Sequence, residues 1–356
     1  MLQKEKELFL NLCDFKKHDA ERTKYLIESK CATSEVLGLL CENRMSAIAY
    51  GVLEKNCLLD KVGREFRNSL YCFYQMNIKR NNDFFVCIEM VSSLFEKCGA
   101  PYSFLKGAYL CGWYPEGYRT SNDIDVLVLP EHVSIFSDCL KTSGFKQGYV
   151  KNGSFIPATR QQIIESKMMR GETVPFIKEV NFPFLKYLEV DINFSLDYKN
   201  GDVDILLGML NRTNKISIGR CEVRTLDKYD FLLHLCEHLY KEATTLPWIE
   251  MKRDMTLYKY CDIYSLLCDF SPEDIKCLII RAQEMGVKEE LSYCLYSILA
   301  FYKIIPSELK SLIDESEMSI FNFVVSPTEK QIYRYIETDP NKRFFAKNRM
   351  KLLEVV

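Results

Sequence analysis

Asp123 and Asp125 stand one residue apart in a run that continues Val126-Leu127-Val128-Leu129. A carboxylate facing an apolar interior is costly unless a cation or a donor compensates it. In a strand the side-chain period is two, so Asp123, Asp125, Leu127 and Leu129 share one face and Ile124, Val126 and Val128 the other. The two Cα atoms then lie about 6.5 Å apart, close enough for both carboxylates to converge on one or two divalent ions. The run Leu188–Phe194 repeats the device, with Glu189, Asp191 and Asn193 on one face and Val190, Ile192 and Phe194 on the other. If the two strands are neighbours, Asp191 becomes a third carboxylate beside the first two. Aspartate is disfavoured in strands, so the placement asks for a chemical reason. The plain alternative is a solvated strand edge. A carboxylate-only set suits Mg²⁺ or Mn²⁺, ions that commonly arrive with a substrate's phosphates.

Upstream, Lys106-Gly107-Ala108 reads as a strand-to-helix turn. Glycine lets the backbone approach a phosphate closely, and the helix start offers N–H groups with a positive dipole. Arg119, in Gly117-Tyr118-Arg119-Thr120-Ser121-Asn122-Asp123, lies between the turn and the aspartates and could pair with phosphate oxygens.

A glycine turn, a helix, an Asp-x-Asp strand and an aspartate on a later strand together resemble the DNA polymerase beta-like nucleotidyltransferase superfamily. More narrowly, residues 104–128 look like an uncharacterised bacterial nucleotidyltransferase family with a Lys-Gly-Ala turn, an arginine and then Asp-Ile-Asp. The likeness extends through Val190–Leu196 and through Leu226–Glu242, so it covers roughly residues 100 to 260. It implies a metal-dependent enzyme that moves a nucleoside monophosphate from an NTP such as ATP to an acceptor hydroxyl or phosphate, releasing pyrophosphate. Asp123, Asp125 and Asp191 are then the catalytic metal ligands for Mg²⁺ or Mn²⁺. Lys106, Gly107, Ala108 and Arg119 face the nucleotide phosphates. Two positions depart from the pattern. Ala108 follows the glycine where the superfamily commonly has serine or glycine, and Asn193 stands where the narrower family tends to have histidine.

The elements that must hold these residues follow from the periodicity. Residues 1–98 carry apolar positions at helical spacing, and Gly99-Ala100-Pro101 punctuates the chain. Residues 99–225 alternate short strands and helices, with Lys186–Leu196 as the last clear strand, and 226–356 return to helix. The expected class is α+β: a small mixed-sheet nucleotidyltransferase core flanked by N- and C-terminal helical regions.

A net charge of −2 over 356 residues argues against a general nucleic-acid coat. It favours a small-molecule or peptidic acceptor over RNA, and no DNA partner is expected. A toxin- or defence-type enzyme acting on tRNA or protein is the rival reading, with a non-catalytic nucleotide-binding descendant a further one. No apolar run reaches eighteen residues and the N-terminus is charged, so a cytoplasmic protein with no membrane partner is expected. Fifteen cysteines, an odd number without a C-x-x-C pair, read as reduced, buried small side chains. His234 and His238, at i and i+4, read as packed or capping residues. The basic stretch 341–351 reads as a terminal helix with its phenylalanines turned inward.

Overall fold

The computed structural model describes residues 1–196, 203–313, 321–327 and 329–356. The chain forms two compact units, one of residues 72–231 and the other of residues 1–71 with 232–356. Both ends of the chain thus contribute to one unit. The architecture is a mixed α/β fold, with a mixed sheet between helical stretches.

The helices of the N-terminal stretch begin where the sequence supplies caps. They are α1 (Gln3–Leu12), α2 (Ala20–Glu28), α3 (Ser34–Glu42) and α4 (Ser46–Lys55). Asp19 accepts from Arg22 N to start α2, and Thr33 accepts from Val36 N to start α3. Helix α5 (Arg64–Phe95) runs for 32 residues without glycine or proline. Its second half buries Phe84, Cys87, Ile88, Val91 and Phe95, a helical stripe against the sheet. Asn77, Arg80 and Asn81 precede that stripe at i, i+3 and i+4.

Eight strands make the sheet of the 72–231 unit. They are β1 (Tyr102–Phe104), β2 (Asp123–Val128), β3 (Lys146–Lys151), β4 (Ser154–Pro157), β5 (Phe176–Phe182), β6 (Leu185–Asn193), β7 (Asn214–Ile218) and β8 (Cys221–Thr225). Their order is β4-β3-β5-β6-β2-β1-β8-β7. Pairs β2·β6 and β1·β8 are parallel and the others antiparallel. Helices α6 (Lys106–Trp113), α7 (Val133–Thr142), α8 (Arg160–Arg170) and α9 (Val203–Asn211) interrupt them. Ile124, Val126 and Val128 of β2 join Leu188, Val190 and Ile192 of β6 in one buried core with Phe104 and Phe136. The aspartates are therefore on the opposite face, as the alternation requires.

The strand pattern does not stop at β6. The hairpin β7–β8 completes the sheet, turning at Gly219 with φ +58°. Each of its strands is only five residues long, too short to stand out as alternation. The C-terminal stretch is not wholly helical either. After α10 (Lys228–Ala243), α11 (Leu246–Glu250), α12 (Leu257–Leu267), α13 (Pro272–Glu284) and α14 (Lys288–Tyr302), strands β9 (Phe323–Ser326), β10 (Gln331–Tyr335) and β11 (Leu353–Val355) form a second sheet. The basic stretch holds only the five-residue α15 (Pro340–Phe344) and a short 3-10 turn. Its Phe344 is buried and stacks on Phe9, while Arg349 pairs with buried Asp254 at 2.6 Å. Its charge is thus partly consumed inside the fold. The fifteen cysteines are all free thiols, seven of them buried. Among the described residues no single helix is long and apolar enough to cross a membrane.

Candidate functional site

Strand β6 lies directly beside β2, parallel and in register. Asp125 is opposite Asp191, and Asp123 opposite Glu189. The period of two puts all four carboxylates on the face turned away from the apolar core. Asp125 is buried, 6% exposed, while Asp123, Glu189 and Asp191 keep partial access to solvent. Burial, reinforced by Asp123 and Asp125, pushes the Glu189 carboxyl up to about 7. Asp191 moves the same way, well above the usual carboxylate range, through burial and then through Asp125, Asp123, Glu189 and Glu172. This face carries more negative charge than it can ionise comfortably.

Lys106 answers part of that charge. Its Nζ lies 2.9 Å from Asp125 Oδ1. The pairing is built into the turn: Leu105 N donates to the Asp125 carbonyl at 2.9 Å, so the residue before Lys106 is tied to β2. Lys106 itself has φ +44°, in the left-handed region that is uncommon for a residue other than glycine. Gly107, next to it, is not among the glycines at positive φ. Helix α6 starts there without a side-chain cap, and Ala108 N already donates to Leu105 O at 3.3 Å.

Gly107 has a different reason to be glycine. A Cβ at this position would lie 2.1 Å from Ser121 Oγ and 2.4 Å from Ser121 Cβ. The space is filled by Ser121, a buried residue whose hydroxyl donates to Asp123 Oδ1 at 2.9 Å. Arg119 is half-buried and its guanidinium donates to the neighbouring Thr120 carbonyl.

Helix α5 holds this loop from behind, a role the sequence reading did not assign. Asn77 Nδ2 donates to Gly117 O at 2.8 Å, and Asn81 Nδ2 to Arg119 O at 2.9 Å. Arg80 donates to Ser121 O at 3.3 Å, to Asn122 Oδ1 at 2.8 Å and to Phe184 O at 3.2 Å. The last contact ties the β5–β6 turn to the same helix, where Asp83 also accepts from Phe184 N at 3.0 Å. The signal was the polar segment Asn77–Asp83 inside a long helix, its spacing matched to one face.

Among the described residues, no three His, Cys, Asp or Glu side chains already surround one point. Asp125 is turned to Lys106 and Asp123 to Ser121. The donors nonetheless fit a hard divalent ion in kind and in register, since all are carboxylate oxygens on one face of adjacent strands, where their mutual repulsion helps raise Glu189 and Asp191. Asn193, at the end of β6, pairs across to Leu127 and bridges to Glu172. His234 and His238 lie in the other unit. His234 is buried against His238 with ring centroids 6.5 Å apart, and His238 Nε2 meets buried Glu242 Oε1 at 3.4 Å.

The model of a family described as "uncharacterised nucleotidyltransferase" matches residues 30–303 of the chain. No curated protein matches it. Among solved structures it matches an antigenic nucleotidyltransferase-like protein from Paracoccidioides brasiliensis. Identity is 16% over 61% of this chain and 92% of that one, with a TM-score of 0.32.

Proposed function

The chain belongs to this uncharacterised nucleotidyltransferase family, and on that premise we propose that it transfers a nucleoside monophosphate from an NTP to an acceptor hydroxyl or phosphate. In this reading it is a member of the DNA polymerase beta-like superfamily. An acceptor oxygen forms a bond to the α-phosphorus, the α–β phosphoanhydride bond breaks, and pyrophosphate leaves. Asp123 and Asp125 would hold Mg²⁺ or Mn²⁺, and Asp191 would complete the acceptor side and take the acceptor's proton. The ion, when bound, steadies the triphosphate and favours the deprotonated acceptor. Lys106 and Arg119 would offset the charge that develops on pyrophosphate, and the Gly107 N–H at the start of α6, next to Ala108, would face the phosphates. A small-molecule or peptidic acceptor fits the near-neutral chain better than RNA does.

The observation that supports this reading most directly is the in-register pairing of Asp125 with Asp191 on parallel strands beside a lysine-bearing turn. The test is incubation with each NTP and Mg²⁺ or Mn²⁺, following pyrophosphate release and screening by mass spectrometry for modified acceptors, the protein itself included. Asp125→Asn is expected to fall below a tenth of wild-type turnover, a loss above ~1.4 kcal/mol of transition-state stabilisation. Its thermal stability reflects two opposed changes, relief of like-charge repulsion and loss of the buried ion pair with Lys106. A variant that keeps more turnover than that removes Asp125 from the chemistry.

A further inference from the structure

Ser121 stands between the two halves of the site, and nothing in its sequence position marks it. Its hydroxyl donates to Asp123 Oδ1 at 2.9 Å, and its Cβ and Oγ occupy the volume that any side chain at Gly107 would need. Its carbonyl accepts from Arg80 Nε at 3.3 Å, while Arg80 Nη2 holds the next side chain, Asn122, at 2.8 Å. Asn81 fixes Arg119 O two residues earlier. The serine is thus pinned at its backbone by α5, seated by its side chain against the turn of α6, and joined by its hydroxyl to β2.

We propose that Ser121 is a positioning residue for the metal-binding carboxylate of Asp123, and that Gly107 is glycine to admit it. This rests on the nucleotidyltransferase reading of the site. A carboxylate has two oxygens and one free torsion near its end. A donor fixed at Oδ1 sets the plane of the group and commits one oxygen, leaving the other as the ligand. Partners that orient a ligand in this way commonly matter by about 10–100-fold in metal affinity or activity. The same side chain couples the turn to the aspartate: a residue that pushes Ser121 out of its seat also releases Asp123. Gly107 is not at positive φ, so steric room and not backbone freedom is what the position demands.

The experiment titrates Mn²⁺ by electron paramagnetic resonance on purified, nucleotide-free protein, with thermal stability measured on the same samples. Ser121→Ala should bind Mn²⁺ about ten- to a hundredfold more weakly at an unchanged melting temperature. Gly107→Ala should lose both affinity and stability. Adding Ser121→Gly to Gly107→Ala makes room for the new methyl, so stability should return while Mn²⁺ affinity stays low, because the hydroxyl is still missing. Asp123→Asn serves as the reference and should abolish the Ser121-sensitive binding. If Asp123→Asn loses Mn²⁺ but Ser121→Ala binds within twofold of wild type, the positioning role is wrong and the metal reading stands. If Asp123→Asn binds Mn²⁺ normally, the metal reading falls and takes this role with it. A double variant that is no more stable than Gly107→Ala refutes the steric half of the argument.

Discussion

Substituting Glu189 tests the charge imbalance of the site without touching an assigned ligand. Glu189 sits opposite Asp123 in the β2·β6 register, and burial, then Asp123 and Asp125, raise its carboxyl from 4.5 to about 7. Between those two values the folded protein holds a proton that the unfolded chain has released. The unfolded state binds fewer protons there, so stability falls as pH rises through this window. At about 1.4 kcal/mol per pH unit, the shift costs as much as ~3 kcal/mol by the time the group is ionised in both states. Glu189→Gln keeps the shape and removes the charge. In chelator-treated protein the variant should therefore gain on wild type progressively from pH 4.5 upward and level off above 7. For a unit of this size, ~3 kcal/mol corresponds to roughly 6–12 °C in melting temperature. The assay is a series of thermal melts of both proteins from pH 4 to 8. Saturating Mg²⁺ or Mn²⁺ should shrink the gap, because a bound cation supplies the charge that wild type lacks. Parallel wild-type and variant curves across the window would show that Glu189 does not feel its neighbours, and the excess-charge reasoning would fail.

Two further outcomes follow from named residues. Asp191→Asn should bind Mg-NTP within a few-fold of wild type yet lose about a hundredfold or more in single-turnover rate, because Asp123 and Asp125 still hold the triphosphate's ion; a normal rate would pass the third position to another residue. In the other unit, burial works to raise the Glu242 carboxyl, but His238 and Lys259 overcome it and hold the group at about 2. That stabilisation is present above the unfolded value of 4.5 and disappears as pH falls toward 2, so Glu242→Gln should cost up to about 3 kcal/mol while the His238 ring is protonated, less where the ring is neutral and Lys259 acts alone, and converge on wild type in acid melts.

The carboxylates were legible because alternation is a property of neighbouring residues. Once Ile124, Val126 and Val128 are read as core, Asp123 and Asp125 must face the other way, and the same logic placed Glu189 and Asp191. Their meeting across two strands needed only one further condition, that β6 be the neighbour of β2, and the sheet order satisfies it. What could not be read were relations between residues far apart in the chain. Gly107 looked like a glycine serving a phosphate, whereas its nearest obstacle is a serine fourteen positions later, brought back by the loop between α6 and β2. Lys106 was placed at the phosphates by its turn, but neither its left-handed backbone nor its buried partner Asp125 could be read from the chain. Arg80 and Asn81 belong to a helix that by pattern serves only the core, yet its polar stretch supports the loop carrying Arg119, Ser121 and Asn122. The difference is physical. A hydrophobic pattern is repeated along an element and survives single exceptions, while a positioning hydrogen bond is made once, by one donor whose partner is set by topology. Ligands of an ion can therefore be inferred from their strand, but the groups that aim them become visible only when the chain is folded around them.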